Sequence, residues 1–327
     1  MAAARWLYEE GIGENRAIRI AAGEILEAAI ELPGLRAGTI VEGRLTAILM
    51  RARRGIVTLS DGTETLIEPL PARLTEGAAL HVEVMREPVS ETGRDKLPKV
   101  RASDAAPQSG PSLRSRIGSP QPLLATGTDL FEEAGWSELV EQAVTGIIPF
   151  TGGALRMSLT PAMTLFDVDG ALPPAALAEA GAAASARAIR RLGITGSIGI
   201  DLPTLPDRAD RQRAATAVDP LLPQPFERTA VNGFGFLQIV RRRERPSIPE
   251  LVLADPVGVA ARQLLRRAER AGGGNLILAA APAVIARLER EPAWLALLST
   301  KVGGTVGLSA EPGLTIWSGY VHRSSQL

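Results

Sequence analysis

The order of apolar and polar positions in the middle of the chain predicts two strands with a helix between them. The apolar run at 164–167 ends on Asp167, and the run at 199–201 ends on Asp201. The Ala-rich, Arg-bearing segment at 173–192 has the length and composition of a single helix. Such a unit places both strands in one sheet with the helix across one face. We therefore expect Asp167 and Asp201 near the same edge of that sheet.

Two carboxylates at one sheet edge indicate a cation site. That edge is where open α/β sheets bind their ligands. A carboxylate at the end of a buried strand needs a partner, and two of them repel one another unless a cation lies between them. Mg²⁺ suits the pair, because it is commonly bound by one or two protein carboxylates together with several water molecules and the oxygens of a substrate phosphate. The alternative is that each aspartate caps a helix or accepts hydrogen bonds from turn amides.

The flanking regions show different patterns. Alternation at 6–31 predicts a short antiparallel meander, and the next segment predicts a small five-stranded barrel with strands at 39–49, 55–60, 63–70, 79–86 and 99–101. A Pro-, Ser- and Gly-rich stretch at 105–129 predicts a linker or long loop, and 130–143 predicts one amphipathic helix. After the strand–helix–strand unit, we expect a polar helix that opens at 203–213, a strand at 229–240 and a connection at 249–254. The last part of the chain predicts helices at 255–270 and 282–291 and strands at 275–279, 304–308 and 314–318.

Composition restricts the chemistry of any site. The chain has 327 residues, no cysteine and two histidines, which excludes disulfides, a thiolate nucleophile and a Cys/His zinc site. A metal must then be held by oxygen ligands, which favours Mg²⁺ and also allows Mn²⁺. The start has no apolar signal region, and no run of about twenty apolar residues follows. We expect a cytoplasmic protein that does not enter a membrane.

Arginines surround the predicted site although the formal net charge is zero. Between Ser185 and Arg245 there are eleven arginines and six acidic residues. Arginine binds phosphate through a planar fork, so the candidate RNA-binding residues are Arg190, Arg191, Arg241, Arg242 and Arg243, with Arg51, Arg53 and Arg54 in the barrel. Each group has an alternative. The charged residues at 241–245 can be a solvated end of the strand that precedes them. The barrel, which has no Phe, Trp or Tyr in 37–104, can be a spacer that does not bind RNA.

Three blocks of sequence carry a family resemblance. Residues 149–169 are P-F-T-G-G-A-L-R-M-S-L-T-P-A-M-T-L-F-D-V-D, residues 190–201 are R-R-L-G-I-T-G-S-I-G-I-D, and residues 234–243 are F-G-F-L-Q-I-V-R-R-R. In this order they resemble the ribonuclease E/ribonuclease G family. The resemblance implies a mixed α/β and β fold: an RNase H-like part (1–36 and 129–150) with an inserted OB-fold barrel (37–104), a linker (105–128), an α/β, DNase I-like catalytic domain (151–248) and a small α/β C-terminal domain (249–327).

The resemblance also implies an activity. It predicts a magnesium-dependent endoribonuclease that cleaves single-stranded RNA and leaves 5′-phosphate and 3′-hydroxyl ends, in RNA processing or decay. Asp167 and Asp201 match the family's metal ligands, and Asp169 stands where the family has an asparagine that orients the first carboxylate. No 5′-sensing domain is present between barrel and catalytic block, so we expect no dependence on a 5′-monophosphate. Without cysteine a zinc-linked tetramer is excluded, whereas a homodimer through the C-terminal domain is allowed.

Several supporting residues depart from the family pattern. Besides Asp169, these are Pro161, Thr204, Gly233 and Gln238. Loss of residues that orient metal ligands commonly costs roughly 10–100-fold in metal affinity or activity. The alternative function is therefore a catalytically weak or inactive RNA-binding relative of the same family.

Overall fold

The computed structural model describes residues 3–91 and 94–323. The chain is mixed α/β and divides into two compact units. The terminal unit combines the chain up to residue 33 with 117–137 and the segment from 251 onward, and the central unit comprises 34–116 and 138–250. Within the described residues, no helix has the length and apolar character needed to cross a membrane.

The strands are numbered in chain order. They are β1 (Arg5–Glu10), β2 (Asn15–Ala21), β3 (Glu24–Glu31), β4 (Ile40–Met50), β5 (Arg54–Leu59), β6 (Glu64–Ile67), β7 (Ala79–Arg86), β8 (Val89–Glu91), β9 (Arg94–Lys96), β10 (Lys99–Ser103), β11 (Gln121–Pro122), β12 (Ile147–Phe150), β13 (Gly153–Leu159), β14 (Thr164–Gly170), β15 (Gly196–Asp201), β16 (Glu227–Arg228), β17 (Phe236–Arg241), β18 (Leu276–Ala280), β19 (Val306–Ala310) and β20 (Tyr320–Arg323).

The helices follow the same convention. They are α1 (Leu113–Arg116), α2 (Leu130–Glu133), α3 (Trp136–Thr145), α4 (Pro174–Arg191), α5 (Arg208–Thr216), α6 (Ile248–Ala254), α7 (Pro256–Arg270), α8 (Pro282–Glu289) and α9 (Pro292–Val302).

The small barrel is confirmed. Strands β10-β6-β5-β4-β7 close on themselves in that order, and all neighbouring pairs are antiparallel except β6 with β10. Alternate positions point inward, as the burial along β5 shows, and the interior is filled by aliphatic side chains that include Leu45, Val57, Ile67, Val82 and Val100.

The segment predicted as a linker is more ordered than expected. Gln108 forms a β-bridge with Ile40, and the backbone N–H of Gly110 donates to Thr39 Oγ1 at 3.0 Å. Further on, β11 pairs in parallel with β1. Ile40 precedes the part of β4 that pairs with β5, and one side of β1 is not paired with β2. The backbone groups there can hold a Pro-rich segment that is a poor helix or strand former.

The predicted strand–helix–strand unit is confirmed in the central sheet, which has the order β12-β13-β14-β15-β17-β16. Strands β14 and β15 are parallel neighbours, and α4 crosses between them and packs on β12, β13 and β14. Gly181 permits the close approach, since a Cβ atom there would lie 2.3 Å from Val168 Cγ1. This packing covers one face of the sheet with α4.

Two of the predicted elements were wrong. The single strand at 229–240 is a hairpin of β16 and β17, because residues 232–235 (Asn-Gly-Phe-Gly) form a turn in which Gly235 has φ +92°. The single helix at 130–143 is two helices, since Gly135 adopts φ +93° between α2 and α3. A left-handed backbone ends a strand or helix, and glycine adopts it at little cost.

The predicted connection at 249–254 is helix α6. Glu250 Oε2 accepts from the backbone N–H of Ser247 at 2.7 Å and from its hydroxyl at 2.8 Å. This Ser-x-x-Glu arrangement resembles a capping box, and the first helical turn tolerates Pro249.

In the terminal unit the meander at 6–31 is confirmed by antiparallel β1, β2 and β3. The helix predicted at 255–270 is α7, capped by Asp255, and β18 and α8 also appear where expected. Helix α9 was missed, and 314–318 forms turns instead of a strand, because Leu314 donates to the carbonyl of Glu311. Trp294 and Trp317 pack against the core of this unit, as predicted.

Candidate active site

Asp167 and Asp201 lie side by side on the central sheet. They are direct partners in the parallel register of β14 and β15, so their side chains share a face and their Cα atoms are about 4.8 Å apart. Both residues are exposed. Asp201 ends its strand as expected, whereas β14 continues to Gly170. The pair therefore sits on the face of the sheet, close to the end of β15.

This face is opposite the one that α4 covers. Along β14 the buried residues Phe166 and Val168 alternate with Asp167 and Asp169, which are exposed. Ile198 and Ile200 are fully buried on β15, on the same side as Phe166. We call the surface that carries Arg156, Asp167, Asp169 and Asp201 the open face.

Arg156 brings one positive charge to this group. It lies opposite Asp167 in the register of β13 and β14, and its Nε donates to Asp169 Oδ2 at 2.9 Å. Both side chains of this ion pair are more than half exposed, at 66% and 57%. Three carboxylates and one guanidinium leave a net negative charge, which attracts a divalent cation. Sequence reasoning missed Arg156, although its place between the inward-facing Leu155 and Met157 marks it as pointing outward.

The β16–β17 turn is held against the chain that follows Asp201. The backbone N–H of Leu202 donates to the Gly235 carbonyl at 3.1 Å, and Thr204 Oγ1 donates to the Phe234 carbonyl at 3.5 Å. Gly235 is required here, since a Cβ atom would lie 2.2 Å from the Leu202 carbonyl oxygen. Next along the chain, Asp207 accepts from Ala209 N–H at 2.6 Å and caps α5. This aspartate therefore has a structural role.

The structure does not bring the predicted arginine run to the aspartates. Arg241 pairs with Gly196 at the start of β15, five residues before Asp201, which corresponds to roughly 17 Å along the strand. Its Nη1 donates to the Ile194 carbonyl at 2.8 Å. Arg243 pairs with Glu250, and Arg242 Nε lies 3.3 Å from Glu244 Oε1. The run thus has partners of its own at the far end of the sheet.

Arg190 and Arg191 are also remote from the aspartates. They form the last turn of α4, which leads to the start of β15. Arg191 donates to Gln142 Oε1, within the central unit. A crossover helix runs antiparallel to the strands it joins, so its C-terminal end lies at the sheet edge opposite Asp201.

Arg51, Arg53 and Arg54 form an exposed group at the tip of the β4–β5 hairpin of the barrel. Arg54 Nε donates to Glu68 Oε1 at 2.7 Å, and Lys99 Nζ lies 2.7 Å from Glu68 Oε2. The hydrogen bond from Lys99 and then that from Arg54 lower the pKa of Glu68 to about 2, outweighing the opposing effect of burial. Arg54 is therefore engaged with the barrel itself.

The aspartate pair fits a magnesium ion by its donor set. Among the described residues there is no group of three or more His, Asp or Glu side chains that could hold a metal. Mg²⁺ does not require one, because one or two carboxylates with water and phosphate oxygens complete its shell. Asp167 and Asp201 supply two adjacent, exposed carboxylates, and Mn²⁺ accepts the same oxygen ligands.

Comparison with protein-family models and with curated protein sequences gave no match. The resemblance to the ribonuclease E/ribonuclease G family thus rests on the three sequence blocks. All three blocks fall on the central sheet: the first spans β12 to β14, the second reaches from the end of α4 through β15, and the third covers the hairpin turn and β17.

Proposed function

We propose that the chain is a magnesium-dependent endoribonuclease that cleaves single-stranded RNA and leaves 5′-phosphate and 3′-hydroxyl ends. The observation that carries the proposal is the direct pairing of Asp167 with Asp201 on an exposed sheet face. The resemblance of the surrounding blocks to ribonuclease E and ribonuclease G supports the choice of RNA as substrate.

In this proposal Asp167 and Asp201 hold the cation. The ion when bound supplies Lewis-acid activation of water and neutralises charge on the phosphate. Arg156 binds Asp169 through Nε, while a guanidinium offers five N–H donors, so others can face a non-bridging phosphate oxygen. The hydrogen bond to Asp169 fixes the position of the Arg156 guanidinium beside Asp167. The residues of the chain thus contribute metal ligation, phosphate orientation and electrostatic stabilisation.

The geometry of the open face supports a single-stranded substrate. Its functional groups stand on the sheet itself, and a splayed strand can lay its backbone across such a surface more readily than a duplex can. The strand order of the barrel, with β10 between β6 and β7, supports an OB-fold, in which the loop between the first two strands is a common site of oligonucleotide binding. Arg51 and Arg53 stand on that loop. We also infer, from the resemblance, the RNase H-like and DNase I-like assignments of the other parts.

Cleavage assays with and without Mg²⁺ test the proposal. Asp167→Asn, Asp201→Asn and the double variant should each reduce cleavage of a labelled single-stranded RNA at least 100-fold, since each loses a metal ligand. Glu179→Gln is the matched control, because it removes an exposed carboxylate from α4 on the opposite side of the sheet. A 5′-phosphate-dependent exonuclease should degrade the downstream product. Cleavage that persists in the double variant would overturn the assignment.

The second candidate is an RNA-binding relative with weak or no activity. The ion pair of Asp169 with Arg156 favours it, because it ties up a residue that stands at the family's orienting asparagine. Binding of the same RNA without cleavage, with an affinity that falls as salt rises, would support this candidate. The homodimer through 249–327 stays a prediction, which sedimentation of the whole chain would measure.

A further inference from the structure

Phe234 presents an aromatic ring to solvent at the tip of the β16–β17 turn. It is 85% exposed, more than any other large apolar side chain in the described part of the chain. A single exposed apolar residue is ordinary by itself. Its surroundings set this one apart, because the turn that carries the ring is held by several hydrogen bonds, two of them from residues that follow Asp201 in the chain.

The turn is held from within by Asn232. Its Oδ1 accepts from the backbone N–H of Phe234 at 2.9 Å and of Phe236 at 3.0 Å. The backbone N–H of Asn232 donates to the Phe236 carbonyl at 3.0 Å, and that of Gly235 donates to the Asn232 carbonyl at 3.2 Å. An aromatic side chain on an ordered turn can bind a flat ligand at a small cost in conformational entropy.

The turn also lies next to Asp201. Phe236 is the register partner of Asp201, and Phe234 comes two residues earlier, in the turn that precedes β17. The carbonyls of Phe234 and Gly235 accept hydrogen bonds from Thr204 and Leu202, which follow Asp201 in the chain. The ring therefore flanks the proposed catalytic face at the end where β15 stops.

Single-stranded RNA needs a stacking surface that the barrel does not supply, because 37–104 contains no Phe, Trp or Tyr. Proteins that bind single strands stack unpaired bases on aromatic rings, and this contact is tolerant of base identity. We propose that Phe234 stacks a nucleobase of the RNA strand whose backbone crosses Asp167 and Asp201. This inference rests on the proposed function and names the base-binding position of that site.

Affinity measurements in the presence of EDTA test the stacking separately from cleavage. Fluorescence anisotropy with a short single-stranded RNA should show that Phe234→Ala weakens binding roughly 5–100-fold, whereas Phe234→Tyr and Phe234→Trp stay within about threefold of the wild type. Val240→Ala is the matched control, since this side chain is 45% exposed on the same sheet face at the far end of β17. It should bind as the wild type does.

A series of RNAs with one abasic nucleotide at successive positions identifies the contact. The wild type should lose affinity at one or two adjacent positions, and Phe234→Ala should show no further loss there. Fluorescence of the Phe234→Trp chain should be quenched by intact RNA and much less by the RNA that is abasic at those positions. Where the wild type cleaves, those positions should flank the cut.

The outcomes are distinguishable. Unchanged binding by Phe234→Ala overturns the inference even if the wild type cleaves RNA. Equal weakening for intact RNA and every abasic RNA also overturns it, because the side chain would then act through the turn. Position-specific loss without any cleavage supports the stacking contact and refutes the proposed hydrolysis.

Discussion

Arg156 and Asp169 form an ion pair across β13 and β14, with Arg156 Nε 2.9 Å from Asp169 Oδ2. The pair lies beside Asp167, which is the register partner of Arg156. Exposed ion pairs contribute about 0–1 kcal/mol to stability. The ion pair therefore contributes little to the stability of the fold. Its two charged groups lie where the proposed function places a phosphate and a cation.

Arg156→Ala should raise the KM for single-stranded RNA about tenfold with a change of less than about 1 kcal/mol in unfolding free energy. The guanidinium is lost as a phosphate donor, and the Asp169 carboxylate is left to repel the backbone. Asp169→Asn should act in the opposite direction on RNA affinity, because it removes a negative charge that repels the RNA backbone. Steady-state kinetics at two salt concentrations measures both. A fall in kcat alone, with KM unchanged, would contradict the phosphate-binding role of Arg156.

The adjacency of Asp167 and Asp201 could be predicted from sequence, whereas their cationic neighbour could not. Adjacency follows from one helix crossing between two parallel strands, which has few alternative topologies. The position of Arg156 depends on the antiparallel register of β13, and apolar alternation alone does not determine which residues face each other. The run at Arg241–Arg243 was misplaced for a related reason. It follows a strand that passes the site, but that strand carries it to the opposite end of the sheet.

A buried charge network in the terminal unit also escaped prediction. Arg16 is fully buried on β2, and it contacts Glu9 Oε1 and Glu14 Oε1 at 2.5 Å each. The same two glutamates bind Arg266 and Arg262 of α7 at 2.8 Å. Glu9 and Arg16 are opposite charges on neighbouring strands, and such a cross-strand pair can be predicted from a hairpin. The two arginines from α7 cannot be predicted in this way, because they are about 250 residues away in sequence. No local pattern connects them.

Arg16→Met should lower the free energy of unfolding of the terminal unit by about 3–5 kcal/mol, because it removes one charge from a buried, hydrogen-bonded group. Arg19→Met is the control on the same strand. Arg19 pairs with Glu27 at 2.9 Å, but its side chain is 36% exposed, so its loss should cost less than about 1 kcal/mol. The tryptophans at 6, 136, 294 and 317 all belong to this unit, so their fluorescence during urea unfolding reports its stability. Equal losses of unfolding free energy in Arg16→Met and Arg19→Met would contradict the larger contribution of the buried arginine.

Glu68 makes the stability of the barrel depend on pH. Its pKa is lowered from 4.5 to about 2 by Lys99 and then Arg54. A carboxylate with a lowered pKa in the folded state stabilises fully above its ordinary value and loses that contribution as the pH falls through the folded value. The barrel should thus lose stability between pH 4.5 and about 2, and Glu68→Gln should remove this component. Titration of the Glu68 carboxyl carbon by NMR measures the pKa directly. A midpoint near 4.5 would refute the shift.

The tip of the β4–β5 hairpin offers a test of whether the barrel binds RNA or only packs as a spacer. Arg51 and Arg53 are exposed there, next to Leu49 and Met50, which are 60% and 49% exposed. Each arginine that neutralises a phosphate releases roughly 0.7 counterion from a single strand. The double variant Arg51→Ala/Arg53→Ala should therefore bind RNA less tightly, with the slope of log affinity against log salt reduced by about 1.4.

Arg190→Ala is the control for that measurement. It removes an arginine of the same central unit from the last turn of α4, at the sheet edge opposite Asp201, and the salt slope should stay at the wild-type value. Melting temperatures of both variants show whether a loss of affinity comes from a loss of stability or from the hairpin tip. Because Arg54 is engaged with Glu68 at 2.7 Å, Arg54→Ala should change the slope by less than Arg51→Ala or Arg53→Ala does. An unchanged slope in the double variant would make the barrel a spacer and leave RNA binding to the central sheet.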